Sequence, residues 1–243
     1  MTKPPFSGPR VIVALDFPSS SEALGFVARL LPQECRLKIG FELFTSAGPA
    51  LVETLVQKGF DIFLDLKFHD IPNTVARACA AAARLGVWML NVHTLGGYEM
   101  LQAARTAIDK STRRPLLIGV TLLTSHRVQD IVAMGFSADA SAEVVRLAGL
   151  AKQAGLDGVV SSAHEAAALR AVYGPNFCLV TPGIRLEADS EDDQQRVLSP
   201  GAALQAGADY LVIGRPITRA PNPIAVLTEI NRMYRLTRND AVS

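Results

Sequence analysis

Asp65, Lys67 and Asp70, within Leu64-Asp65-Leu66-Lys67-Phe68-His69-Asp70-Ile71-Pro72-Asn73, are the residues of this chain best suited to chemistry. After Asp61-Ile62-Phe63 the segment alternates apolar and charged residues with period two, the pattern of a β-strand. On a strand Asp65 and Lys67 project to the same side, and Asp70 follows just past the strand end. Charges packed that closely in an apolar strand are costly unless they pair. A lysine flanked by carboxylates is held protonated and in place, which suits a proton donor. Read alone, the segment also fits a structural ion pair.

Two more charges stand in apolar strands, Lys38 in Leu37-Lys38-Ile39-Gly40 and Asp16 in Ala14-Leu15-Asp16. The series Lys38, Asp65, Lys67, Asp70 alternates in sign. Such a row offsets its own repulsion and holds each side chain rigidly, which is electrostatic preorganisation.

These side chains need a scaffold. The chain has 243 residues, 49% of them apolar, enough for a sizeable core in one α/β barrel. Strands are predicted at Val11–Asp16, Arg36–Phe41, Ile62–Lys67, Trp88–His93, Leu116–Leu122, Gly158–Ser161, Phe177–Thr181 and Tyr210–Gly214. Helical periodicity fills the gaps, as in Glu22–Leu31, Ala47–Lys58, Thr74–Leu85, Met100–Asp109, Ala142–Ala154 and Pro223–Arg235. Strands that each lead into a helix, in this number, close a parallel barrel. An open doubly wound sheet is the alternative, and the Gly-rich first turn usual there is missing. No linker or composition shift marks a second domain, so residues 1–243 read as one barrel with an N-terminal extension over 1–9.

In a barrel, chemistry sits on the loops after the strands. The unusual polar residues collect there: Asp16, Lys38, Asp65, Lys67, Asp70, His93, Thr124, Ser125 and Arg185. Tyr210-Leu211-Val212-Ile213-Gly214-Arg215-Pro216 ends a strand in glycine and arginine, where barrels often hold phosphate. Glycine lets the backbone approach the oxygens, and arginine supplies a fork of donors. Thr181-Pro182-Gly183-Ile184-Arg185 opens a polar stretch, Leu186 to Arg196, that reads either as a mobile lid or as a disordered loop. As a mobile phosphate lid over 186–199 it would exclude water, with Gln194 its best-placed neutral donor.

The balance of charge excludes a general nucleic-acid surface, since the net charge is only +1. Cys35, Cys79 and Cys178 are widely spaced, as in a reduced, cytoplasmic protein without a cysteine metal site. His69, His93, His126 and His164 lack metal-ligand spacing, and His69 and His93 read as hydrogen-bonded groups near the barrel mouth. No stretch resembles a signal peptide or a membrane span, so no membrane partner is expected.

These residues carry a resemblance over nearly the whole chain. Asp65-Leu66-Lys67-Phe68-His69-Asp70-Ile71-Pro72-Asn73-Thr74 resembles the bacterial form of the D-x-K-x-x-D-I signature of the orotidine 5′-phosphate decarboxylase family. Leu15-Asp16, Leu37-Lys38-Ile39-Gly40, Leu123-Thr124-Ser125, Thr181-Pro182-Gly183-Ile184-Arg185 and Ile213-Gly214-Arg215-Pro216 match its other segments in order. The resemblance implies a (β/α)8 barrel of the ribulose-phosphate-binding type. It also implies a homodimer with a shared active site, the substrate orotidine 5′-phosphate, and no metal or organic cofactor. Lys67 would protonate C6 as carbon dioxide leaves, Asp65 would face the substrate carboxylate, and Lys38 would bridge Asp65 and the ribose. Asp16 would bind a ribose hydroxyl and Thr124 the base. Asp70, Ile71 and Thr74 would reach into the partner's site, while Pro182, Arg185, Gln194, Gly214 and Arg215 would surround the phosphate. After Arg185 the family usually continues with a proline and a Gly-Ser pair, whereas this chain reads Leu186-Glu187-Ala188-Asp189-Ser190.

Two alternatives compete. Sugar-phosphate enzymes resembling 3-keto-gulonate-6-phosphate decarboxylase or hexulose-6-phosphate synthase share the barrel and the D-x-K-x-x-D segment. They hold magnesium partly through a glutamate where this chain has Lys38. A non-catalytic nucleotide-phosphate-binding barrel would be expected to have lost Asp65 or Lys67.

Overall fold

The computed structural model describes residues 8–185 and 198–239, with side chains through residue 235. Residues 1–7 of the expected N-terminal extension, most of the expected lid and Gln194 lie outside the described residues. Eight strands form one closed parallel barrel in chain order. They are β1 (Val11–Ala14), β2 (Arg36–Ile39), β3 (Ile62–Phe68), β4 (Met89–His93), β5 (Leu116–Val120), β6 (Gly158–Val160), β7 (Cys178–Thr181) and β8 (Tyr210–Ile213). Pairing of β1 with β8, through Ile12 and Val212, closes the ring. That closure rules out the open sheet.

The helices are α1 (Ser20–Val27), α2 (Phe41–Gln57), α3 (Pro72–Arg84), α4 (Gly97–Asp109), α5 (Val128–Ala133), α6 (Ala140–Gln153), α7 (Ala163–Tyr173), α8 (Pro200–Gln205), α9 (Arg215–Thr218) and α10 (Pro223–Asn239). Local chemistry sets their starts. The Ser19 hydroxyl accepts from the Glu22 N–H at the head of α1, and Pro72, with its φ already helical, opens α3. Phe41, expected to end a strand, instead opens α2, because the chain leaves the sheet at Gly40. Helix α2 breaks at Gly48, whose φ of 67° suits glycine, and resumes with Pro49.

Strand alternation sorts the core into two layers. Val11, Val13 and Leu15 point outward and pack beneath the helices. Ile12, Ala14, Phe63, Met89, Ile118, Cys178, Val180, Tyr210 and Val212 fill the barrel interior. At the amino end the Arg36 guanidinium stacks on Trp88 at 4.1 Å and pairs with Asp61 at 3.0 Å, closing the floor. Continuing the inward-facing series toward the carboxyl ends gives Asp16, Lys38, Asp65, Lys67, Asn91, His93 and Gly214. The same period that fills the core thus delivers polar groups to the mouth.

Candidate active site

Lys67 Nζ donates to Asp65 Oδ1 at 2.7 Å, so the two side chains do share a face. Lys38 Nζ lies 3.4 Å from Asp65 Oδ2 and 3.4 Å from Asp16 Oδ1. The row inside one chain therefore runs Asp16, Lys38, Asp65, Lys67, each charge beside its opposite. Sequence reasoning placed Asp70 at the end of that row. Instead β3 stops at Phe68 and α3 starts at Pro72, so Asp70 falls in the turn, where its exposed carboxylate accepts from the Ile71 N–H at 2.6 Å. Asp16 extends the row at its other end, beside Lys38.

Burial decides how strongly these charges interact. The Asp65 side chain is 13% exposed and that of Lys38 is 12% exposed. Burial pushes the Asp65 carboxyl up, but Lys38, Lys67 and hydrogen bonds from Lys67 and Asn91 together outweigh it and hold it below the usual carboxylate range. A fixed carboxylate between two ammonium groups results. The row borders a cavity of about 120 Å³ walled also by Leu15 and Phe41. Lys67 Nζ lies 5.8 Å from the Phe41 ring centroid, and Phe41 itself is 57% exposed at the rim.

Gly214 belongs beside this row, since a Cβ built on it would come 3.5 Å from Asp16 Oδ2. Arg215, next in sequence, opens α9 at the surface. Pro182 and Arg185 follow β7, and the Arg185 N–H donates to the Leu198 carbonyl at 3.3 Å. Ile71 and Thr74 are exposed at the head of α3. Thr124 is set apart from the charge row, lining a small separate cavity with His126 and Ser162.

Sequence reasoning passed over Asn91. Its side chain, 0% exposed, accepts from the Lys67 N–H at 2.7 Å and donates to Asp65 Oδ1 at 2.7 Å. Its local sequence offers one signal, an amide between Leu90 and Val92 on the same strand face as His93, but not its partners on β3.

His93 departs from expectation at one ring nitrogen. The rings of His69 and His93 stack with centroids 5.5 Å apart, and His93 Nδ1 is buried with no hydrogen-bond partner among the described residues. Burial, then the neighbouring His69, His126 and Lys67, push the His93 imidazole down from 6.5 to about 4. Between those values the unfolded chain takes up a proton that the folded protein refuses, so stability falls as pH drops through that window. Asp65 acts in the same sense at lower pH, because its contribution is lost only below the ordinary carboxyl value of 3.8. His93→Asn is therefore expected to flatten the slope of urea midpoint against pH above about 4 and leave the steeper loss below it. An unchanged slope would assign the acid sensitivity to another group.

Cys35, Cys79 and Cys178 are free and buried, and burial raises the Cys35 and Cys79 thiols to about 12. Among the described residues no group of histidine, cysteine or acidic side chains is arranged to hold a metal ion, and no helix is long and apolar enough to cross a membrane.

A polar row mounted on the carboxyl ends of a closed barrel places the protein among the (β/α)8 barrel enzymes. Within that class, residues 9–230 match the model of the Orotidine 5′-phosphate decarboxylase / HUMPS family, and the chain belongs to it. The chain is 60% identical over 221 residues to an orotidine 5′-phosphate decarboxylase of Laribacter hongkongensis, covering 91% of each. It is 59% identical over 223 residues to the enzyme of that name from Nitrosomonas europaea, covering 92% of this chain and 96% of that one. The crystal structure of orotidine 5′-phosphate decarboxylase from Lactobacillus acidophilus superposes with a TM-score of 0.83 at 36% identity, over 94% of this chain and 99% of that one.

Proposed function

We propose that this chain decarboxylates orotidine 5′-phosphate to UMP and carbon dioxide, the closing step of UMP synthesis, with Lys67 protonating C6. One observation carries the reading: a lysine 2.7 Å from a largely buried carboxylate whose other oxygen is held by a second lysine. Breaking the bond from C6 to the carboxylate leaves an electron pair on C6 with little resonance help. A fixed cation is what that transition state requires. Lys67 supplies it, gives up a proton to C6, and recovers one from water, so the reaction consumes one proton and needs no oxidant. Asp65 faces the departing carboxylate, and Lys38 bridges Asp65 and the ribose while Asp16 takes a ribose hydroxyl.

The phosphate lies outside the charge row, a reading that the size of the cavity supports. The cavity at the charge row, about 120 Å³, is well below the roughly 300 Å³ or more of a pocket for a drug-sized ligand. It suits the reacting end of a nucleotide, and the phosphate lies across the mouth toward Pro182, Arg185, Gly214 and Arg215, with Gln194 as a further donor. Thr124 holds the base. Binding energy gathered there, far from C6, keeps the row and the substrate aligned.

The protein works as a cytoplasmic homodimer of single-domain subunits, with Asp70, Ile71 and Thr74 serving the partner's site. Exposed apolar side chains support this. Phe41 (57% exposed), Ile71 (67%), Tyr98 (36%), Val128 (47%), Val132 (49%) and Met134 (44%) all lie on connections that leave the carboxyl ends of β2 to β5. Large apolar groups gathered on one rim are what a partner covers.

No cofactor is required. Where a sugar-phosphate decarboxylase would place a magnesium-binding glutamate, the Lys38 ammonium lies between two carboxylates. The test is ultraviolet absorbance of orotidine 5′-phosphate with the purified protein in excess EDTA. Conversion to UMP at an undiminished rate is expected. Activity only on a sugar phosphate with magnesium, or UMP binding without turnover, would overturn the reading.

A further inference from the structure

We propose that Asn91 is the positioning residue of this site: one buried amide that fixes both the backbone of Lys67 and the carboxylate of Asp65. The inference rests on the decarboxylase reading and goes beyond it.

Register carries the argument. Strand β3 pairs with β4 at Leu64–Leu90 and again at Phe68–Val92. Between those pairs β3 spends three residues, Asp65, Leu66 and Lys67, against Asn91 alone. The surplus forms a bulge, which re-aims side chains and leaves backbone groups without ladder partners. Lys67 completes it with φ at 42°, in the left-handed region, and is the only non-glycine residue among those described with positive φ. Such a conformation persists where the surroundings over-determine it.

Asn91 supplies that determination. Its Oδ1 accepts from the Lys67 N–H at 2.7 Å, the donor that the bulge takes out of the ladder. Its Nδ2 donates to Asp65 Oδ1 at 2.7 Å, the same oxygen that accepts from Lys67 Nζ. The amide can point only one way, because a backbone N–H only donates and a carboxylate only accepts. Both ends of the Asp65–Lys67 pair are thereby tied to one rigid group on the neighbouring strand. An aspartate in its place would keep the acceptor but set a second carboxylate against Asp65. A leucine would leave the Lys67 N–H buried and unpaired.

Two variants of the full-length protein separate these functions. In Asn91→Leu, kcat is expected to fall about 10²-fold or more, the cost of a misplaced catalytic group, while KM and UMP affinity stay within a few-fold. Amide hydrogen exchange in the peptide spanning Leu64 to Asp70 should quicken, with the other strands unchanged. In Asn91→Asp, that exchange should stay as in the wild type, because the acceptor remains. Its kcat should be low at about pH 8 and rise toward about pH 5.5, where the introduced carboxyl group, once protonated, can again donate to Asp65. Asp65 and Lys67 contact this amide, Lys38 holds the far oxygen of Asp65, and the titratable His93, two residues on, shares its face of β4 with the His69 ring stacked upon it.

Unchanged kcat in Asn91→Leu would overturn the proposal, as would loss of kcat and UMP affinity in parallel with a lower Tm. So would local exchange no faster than wild type. The exchange readout needs no turnover, so an inactive wild type would count against the decarboxylase reading and still leave the clamp tested.

Discussion

Lys67→Ala is expected to abolish conversion of orotidine 5′-phosphate to UMP while leaving UMP binding within a few-fold of wild type. The magnitude follows from what the side chain supplies. General acid catalysis contributes about 10²–10⁴-fold, and one preorganised electrostatic group about 10²–10³-fold. Both are lost together, so kcat should drop by at least about 10⁴-fold. The site itself should survive. Asp65 keeps Lys38 on one oxygen and Asn91 on the other, and the groups proposed for ribose and phosphate lie on other strands. Lys67→Arg sharpens the test. A guanidinium keeps the positive charge but gives up a proton far less readily, so activity should remain down by about 10²-fold or more. Near-normal turnover in Lys67→Arg would make Lys67 a fixed cation and move the proton donor elsewhere. Equal loss of kcat and UMP affinity in Lys67→Ala would make it a binding residue.

How such a site could be read in advance depends on the distance over which each interaction acts. Asp65 and Lys67 were legible because strand alternation puts residues two apart on one face, and they meet at 2.7 Å. The eight strands and their barrel order were legible for the same local reason. Each apolar run ends in polar residues, and each is followed by a helix. Lys38 and Asp16 could be named as odd charges in apolar strands, but their pairing depends on the β1–β2 register, which brings Ala14 level with Lys38. Asp70 could be placed past the strand end, but whether it joins the row of its own chain depends on the turn between β3 and α3, about which a period of two says nothing. Asn91 escaped for a deeper reason. Its importance comes from a bulge on the neighbouring strand, and neither partner's local sequence announces that register shift. The same blindness set His93 as a hydrogen-bonded group, when packing against the His69 ring leaves its Nδ1 buried without a partner among the described residues.

A mixture of two inactive variants should regain activity if the site is built from two subunits. Asp70 makes no contribution to the charge row of its own chain, since it stands exposed in the β3–α3 turn and accepts only from the adjacent Ile71 N–H among the described residues. Ile71, 67% exposed, stands next to it on the same turn. Ile71 belongs to the group of exposed apolar side chains on this rim that a partner would cover, and Asp70 would be carried to the partner with it. In a two-fold dimer, each site would combine Lys67 of one subunit with Asp70 of the other. Lys67→Ala and Asp70→Ala should each be inactive alone. Mixed in equal amounts and allowed to exchange, half the dimers would be hybrids, and each hybrid would hold one intact and one doubly defective site. About a quarter of wild-type activity is therefore expected, rising from near zero at the rate of subunit exchange. Native mass spectrometry of differently tagged variants would confirm the hybrids. Hybrids without recovered activity would confine the site to a single chain, and Asp70 would then act on its own subunit, through the order of the turn that carries it.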